Sequence, residues 1–217
     1  MLKRRGGGDD GEADPWPDTT TVVRGEVPAG PFEFRRREVR PGAFAPLASY
    51  AFDEARAVGV ELDLSLVSLT VQRSVFEGCR FVQGRRPASD GTWAQGNLGR
   101  RPTVYRNCTF DRVRFRIRGG FSTGDAVFED CEFRRCSFRE FFAHGTTFVR
   151  CRFEGPIDNA VFYGTVPAEM PRAGEVNRYV DNDFTGAVLG SVSLRGGIDA
   201  GQQRWPAGVD PASLVRD

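Results

Sequence analysis

The five cysteines of this chain are tied to a spacing. Each stands two residues before a phenylalanine: Cys79-Arg-Phe81, Cys108-Thr-Phe110, Cys131-Glu-Phe133, Cys136-Ser-Phe138 and Cys151-Arg-Phe153. Extending the frame in steps of five gives Leu66, Val71, Phe76 and Phe81, then Tyr105, Phe110 and Phe115. It continues through Phe128, Phe133, Phe138, Ala143, Phe148 and Phe153, and resumes at Tyr179, Phe184, Leu189 and Leu194, for 17 units in all. The position two before most centres is small or apolar, as at Ser74, Thr103, Val113, Ala126, Thr146, Ala187 and Val192. A period of five belongs neither to an ordinary helix nor to an isolated strand, and internal repetition of this kind signals a stacked architecture.

These units resemble the pentapeptide-repeat family, whose pattern is a small residue, a variable residue, a large apolar centre and two further variable residues. The resemblance covers about 85 of the 217 residues and is densest from Ala126 to Gly155. Cys or Thr often stands here where the family prefers Ala, and Phe141 and Ala143 invert the usual large and small order. The fold it implies is all-β: a right-handed parallel (quadrilateral) β-helix of pentapeptide repeats with loop insertions, four units closing each turn.

A coil of twenty residues stacks on the next at the strand spacing of about 4.8 Å, so residue n lies beside residue n + 20. That register predicts Phe128 on Phe148, Cys131 on Cys151 and Phe133 on Phe153. Full burial of each of the ten central phenylalanines contributes roughly 2–3 kcal/mol. The same register sets Asp130 beside Arg150, Glu132 beside Arg152 and Arg134 beside Glu154, three opposite-charge pairs on the outside.

Composition divides the rest. Residues 1–31, with Gly6 to Gly8, an acidic cluster and four prolines, bury too little apolar surface to order themselves and read as a disordered tail. Residues 32–63 read as an N-terminal cap region, with a short helix from Phe52 to Val58. The repeat spans 64–196, interrupted by insertions at 84–102, 118–125 and 156–176. Residues 197–217 read as a C-terminal cap whose Trp205 covers the open end of the core.

The formal net charge of +1 conceals a basic middle. Residues 73–118 hold 11 arginines against three carboxylates, net +8. Planar guanidinium groups suit phosphate and carboxylate. No apolar run is long enough for a membrane span, and the first residues lack the apolar stretch of a signal peptide. A cytoplasmic, bacterial protein follows, with no membrane association.

Catalytic chemistry finds little footing. His144 is the only histidine and is expected to point outward. The cysteines fall at inward positions and read as reduced core thiols. The run Asp181-Asn182-Asp183 imitates the opening of a calcium loop but has Val192 where a bidentate Glu is needed. Glu129, Asp130 and Glu132 find arginines one coil away. The chain is therefore read as a non-enzyme with no cofactor and no metal site.

The expected function is macromolecular binding by a scaffold, with a protein as partner. The candidate partner-binding residues are Arg85, Arg86, Trp93, Arg112, Arg114, Arg116, Arg118, Phe162 and Tyr163, because long loops carrying aromatics tend to be functional. The family resemblance implies an alternative, since some members imitate duplex DNA and bind type II topoisomerases such as DNA gyrase. Mimicry needs an extended acidic face. Seventeen units make about four coils, roughly 20 Å, which is short for a duplex imitation unless a homodimer forms through one end. A third reading has the arginines bind nucleic acid or another anionic macromolecule.

Overall fold

The computed structural model describes residues 16–35, 38–40, 43–44, 47–84, 92–170 and 172–216. Twenty strands join into one sheet that winds around a single core, every pairing within it parallel. Parallel crossovers take the right hand. The result is the right-handed, four-walled parallel β-helix that the period of five predicts.

The first wall aligns Val27, Ala57, Phe76, Tyr105, Phe128, Phe148 and Tyr179 across successive coils. The second aligns Phe32, Leu62, Phe81, Phe110, Phe133 and Phe153. On the third, Phe115, Phe138, Ile157 and Leu189 follow one another. The fourth carries Tyr50, Leu69, Gly96 and Phe121, and farther along Phe141, Ala160 and Val192. All ten central phenylalanines are buried. On the second wall the rings form one column: Phe81 on Phe110 at 4.6 Å, then Phe133 at 5.0 Å, Phe153 at 4.9 Å and Phe184 at 4.5 Å. Trp205 closes it, stacked on Phe184 at 4.7 Å.

A corner needs a sharp bend, and a single left-handed residue supplies it. Asn107, Asp130, Arg150 and Asp181 have φ of 52°, 55°, 52° and 53°, each two residues after a first-wall centre, and Gly59 and Gly78 occupy the same corner earlier. The corner amides are not wasted. Gly78, Asn107, Asp130 and Arg150 donate theirs to carbonyls of the following coil, at Arg106, Glu129, Val149 and Val180. These bonds continue the backbone ladder through the corner.

The inward small position has its own logic. The Cys79, Cys108, Cys131 and Cys151 thiols reach back to the carbonyls of Ala57, Phe76, Tyr105 and Phe128 in the preceding coil, at 3.3–3.5 Å. Asn182 and Gln203 continue the line, donating to Phe148 and Tyr179 at 2.9 Å each. A donor of graded length thus fills a position that is narrow where cysteine sits and wider near the C-terminal end. All five cysteines are free and buried, and burial holds the Cys131 and Cys136 thiols well above their ordinary pKa, fully protonated.

Several expectations are corrected. Residues 1–15 lie outside the described residues, but the rest of the expected tail is ordered: Thr21–Val27 and Gly30–Phe32 are strands of the first coil. They are held by pairing to Ala48–Val58 and Val60–Asp63. Ala48–Val58 is itself one strand, so the helix expected from Phe52 to Val58 does not form. Its alternation buries Asp53, Ala55 and Ala57 and exposes Glu54, Arg56 and Val58, a strand period that helix formers such as Ala and Glu mask. The expected cap region 32–63 is in this way coil. Leu66, taken as a centre, is exposed in a 3-10 turn, and Leu64 is buried instead.

The insertions also shrink. Gln95–Asn97 and Phe121–Ser122 are fourth-wall strands inside two of them. Arg152–Tyr163 runs unbroken as coil into the third. With seven levels on the first wall, the coil spans about 29 Å at 4.8 Å per step, longer than four coils.

Of the three external ion pairs, Asp130 and Arg150 meet through two bonds of 2.7 Å. Glu132 and Arg152 are in register, yet Glu132 binds Arg134 and Arg152 binds Glu154, each along its own strand. Residues two apart on one strand share a face and meet without crossing the corner.

Candidate partner-binding face

The third and fourth walls carry the excursions, and the chain anchors them tightly. Gly84 donates its amide to Ser65 Oγ at 2.6 Å where one excursion leaves. Ala94 is buried where it returns, and the strand Gln95–Asn97 then pairs with Ser68–Thr70. Gly96 is required there, because a Cβ would lie 1.7 Å from the Leu69 carbonyl oxygen. Trp93, beside this anchor, lies half-buried over the Arg114 guanidinium at 3.5 Å from the ring centre. Cation–π contact at this range is favourable and becomes stronger as water is excluded.

Arg112, Arg114 and Arg116 project from one stretch of chain because Val113 and Phe115 point inward. Arg112 approaches Asp111 at 3.6 Å and Arg116 binds Glu140 at 2.6 Å. Arg114 has no carboxylate partner among the described residues. Burial and the charge of Arg116 lower its pKa, the signature of uncompensated positive charge. Arg118 is exposed.

Several other arginines of the basic stretch are engaged. Arg73 binds Asp53, Arg80 binds Glu61, Arg106 binds Glu129, and Arg100 lies over Trp16. The segment net of +8 is therefore not an open basic face, because coiling sets carboxylates from distant segments beside these arginines. Asp53 is a second kind of anchor: fully buried, it takes Arg73 at 2.6 Å and Trp16 Nε1 at 3.2 Å. Burial raises its pKa, but bonds from Gln72, Arg73 and Trp16 outweigh that and hold it below the ordinary carboxylate value.

Beyond Arg116 the fourth wall opens a cleft of about 350 Å³, lined among others by Arg100, Ile117, Asp125, Phe142, His144 and Met170. His144 is not turned freely outward. It stacks on Tyr163 at 4.8 Å, and burial lowers its pKa against a weaker opposing pull from Glu169. The loop after Tyr163 folds over this side. Arg172 ties it down to Asp125 at 3.0 Å and to Glu175, while the Asn177 amide bonds the carbonyls of His144 and Tyr163.

The structure thus brings together Arg112, Arg114, Arg116 and Trp93. Tyr163 lies with His144 at the cleft. Phe162 is corrected to the core, buried between Phe141 and Tyr179, since Ala160 and Phe162 alternate inward at the end of its strand. Arg85 and Arg86 lie outside the described residues. The sequence reading missed Ile117, Phe142 and Met170; their signal was an apolar residue at an outward position. Among the described residues no group of three His, Cys, Asp or Glu side chains could hold a metal ion. Asp183 is turned to its own Thr185. No described helix is long and apolar enough to cross a membrane.

No protein-family model matches the chain, and no curated protein matches it in sequence. Two solved structures resemble it, both of QnrB1, a plasmid-mediated fluoroquinolone resistance protein. A trypsin-treated variant is 13% identical over 86% of this chain and 79% of that one, with a TM-score of 0.35. The full-length form is 12% identical over 91% and 90%, with a TM-score of 0.28. At such values the fold rests on the strand register described above.

Proposed function

We propose that this chain is a non-catalytic binding scaffold that engages a protein partner through its third and fourth walls. The observation that carries this reading is the asymmetry of charge satisfaction. Arg73, Arg80, Arg106, Arg116 and Arg150 pair with carboxylates, whereas the half-buried Arg114 under Trp93 has no counter-ion among the described residues. An aromatic and an arginine side by side, partly shielded from water, are the residue types that anchor interfaces.

Affinity capture from the native host, with the chain and with a Trp93→Ala, Arg114→Ala double variant, tests the reading. A partner retained by the first and lost by the second, with melting unchanged, is the expected result. Identical capture by both overturns it.

The duplex-mimic alternative has less support in this chain. At about 29 Å the coil matches some eight base-pair steps of 3.4 Å, but its corner ladder runs Asn107, Asp130, Arg150, Asp181 and is not uniformly acidic. A supercoiling assay with purified gyrase discriminates, and no effect at micromolar protein removes that alternative. Direct nucleic-acid binding needs several unpaired arginines on one face, and here they are mostly neutralised.

A further inference from the structure

We propose that Arg114, held face-on by Trp93, is an oxyanion-receiving arginine whose ligand is a side-chain carboxylate from an acidic segment of the bound protein. This deepens the scaffold reading and rests on it.

The argument starts from individual N–H groups. Arg114 Nε and Nη2 are buried and have no hydrogen-bond partner among the described residues. These two nitrogens form one edge of the guanidinium, the edge whose parallel N–H bonds fit the two oxygens of a carboxylate. The Nε groups of Arg112 and Arg116 are buried and unpartnered as well. Buried polar groups in native proteins nearly always find partners, and charged donors left unpaired are costly. Asp111 is shared by Arg112, Arg135 and Arg80, and Glu140 binds Arg116, so positive charge is left in excess here.

The indole fixes the guanidinium plane, so little rotamer freedom is lost when the ligand arrives. The indole lies on the guanidinium face, so a carboxylate arriving at the edge changes the surroundings of Trp93.

The chemistry favours one carboxylate over a run of phosphates. A nucleic-acid backbone needs a track of unsatisfied cations. Arg73, Arg80 and Arg106 are already paired to carboxylates, and among the described residues only Arg114 has both donors of one guanidinium edge buried and unpartnered, a fork and not a track. Ile117, 55% exposed beside Arg116, offers an apolar contact for the residue next to the acidic one.

The test uses the full chain labelled with 5-fluorotryptophan, whose three tryptophans give separable ¹⁹F resonances, Trp93 being assigned through Trp93→Phe. Poly-L-glutamate, single-stranded oligothymidylate and inorganic phosphate are titrated at equal ionic strength. The expected result is a saturable shift of the Trp93 resonance with poly-L-glutamate, while Trp16 and Trp205 stay in place. Arg114→Lys, which keeps the charge and loses the fork, should weaken that binding at least tenfold with its melting temperature retained. Arg118→Ala should change it less than twofold.

An unmoved Trp93 resonance, an Arg114→Lys chain that binds like the parent, or tighter binding of oligothymidylate overturns the proposal. The two readings fail separately. Partner capture that is lost in the double variant but intact in Arg114→Lys sinks the carboxylate fork and leaves the scaffold. A Trp93 shift abolished by Arg114→Lys, in a chain that captures no partner, sinks the scaffold and leaves the fork.

Discussion

The first and second walls differ from the third and fourth in almost every respect that matters to folding and binding. On the second wall six rings stack in one column, and on the first Phe76, Tyr105, Phe128 and Phe148 stack at 4.8–5.1 Å. The two columns meet edge to face, as Phe133 meets Phe148 at 5.7 Å. The fourth wall is interrupted by Gly96, and beside it the chain leaves and re-enters the coil. One side supplies a rigid post and the other hangs segments on it. Loops can vary there because the register is held elsewhere.

The largest break in this comparison comes from emptying the columns. Phe133→Ala removes a ring stacked on both sides and should cost close to 5 kcal/mol, whereas Phe141→Ala on the fourth wall should cost nearer 3, within the usual range for buried phenylalanine. Urea unfolding measures both, and equal losses would erase the distinction between the walls.

Next comes the anchor of the first coil. Asp53→Asn should cost about 2–3 kcal/mol, since it weakens charge-assisted bonds to Arg73 and Trp16. Amide exchange should then quicken at Thr21–Val27 first. Acid should act in the same way. With its folded pKa below the unfolded value, Asp53 contributes fully above about pH 4, and the contribution is lost as pH falls through the lowered value. Thr21–Val27 should loosen before the central coils, and simultaneous loosening of all coils would contradict the anchor.

The thiol line gives the smallest effects. Cys131→Ala should cost about 1 kcal/mol and Cys131→Ser less, because the hydroxyl keeps a donor for the Tyr105 carbonyl. A thiol reagent should find none of the five cysteines until the coil unfolds, and rapid labelling of the native chain would contradict their burial.

How far the sequence could be read follows the same division. The Cys-Phe pairs lie on the second and third walls, and their step of five carried the register correctly to Phe128, Phe133 and Phe153. It failed where the centre is aliphatic and the small position follows no pattern, as at Ala57 and Leu62, so the early coils passed for a cap with a helix. Phe162 reads as loop because the run from Pro156 to Tyr163 contains no cysteine marker, and only Ala160 and Phe162 at its end alternate inward.

At the candidate site, Trp93 and Arg114 were visible as residue types, but their contact depended on where an excursion re-enters the coil. The arginine count misled for a physical reason. Charge along a coiled chain is balanced across turns, and Glu129 and Glu140 answer arginines that lie 23 and 24 positions earlier.

The ring column ending at Trp205 carries a consequence for how such a molecule can change in length. Each level meets only its neighbours, so a duplicated circuit such as 126–145 would present the same rings above and below and slot in without disturbing either terminus. The height of the post is then a free parameter, and the distance between the Asp53 anchor and the tryptophan lid can be tuned in single steps.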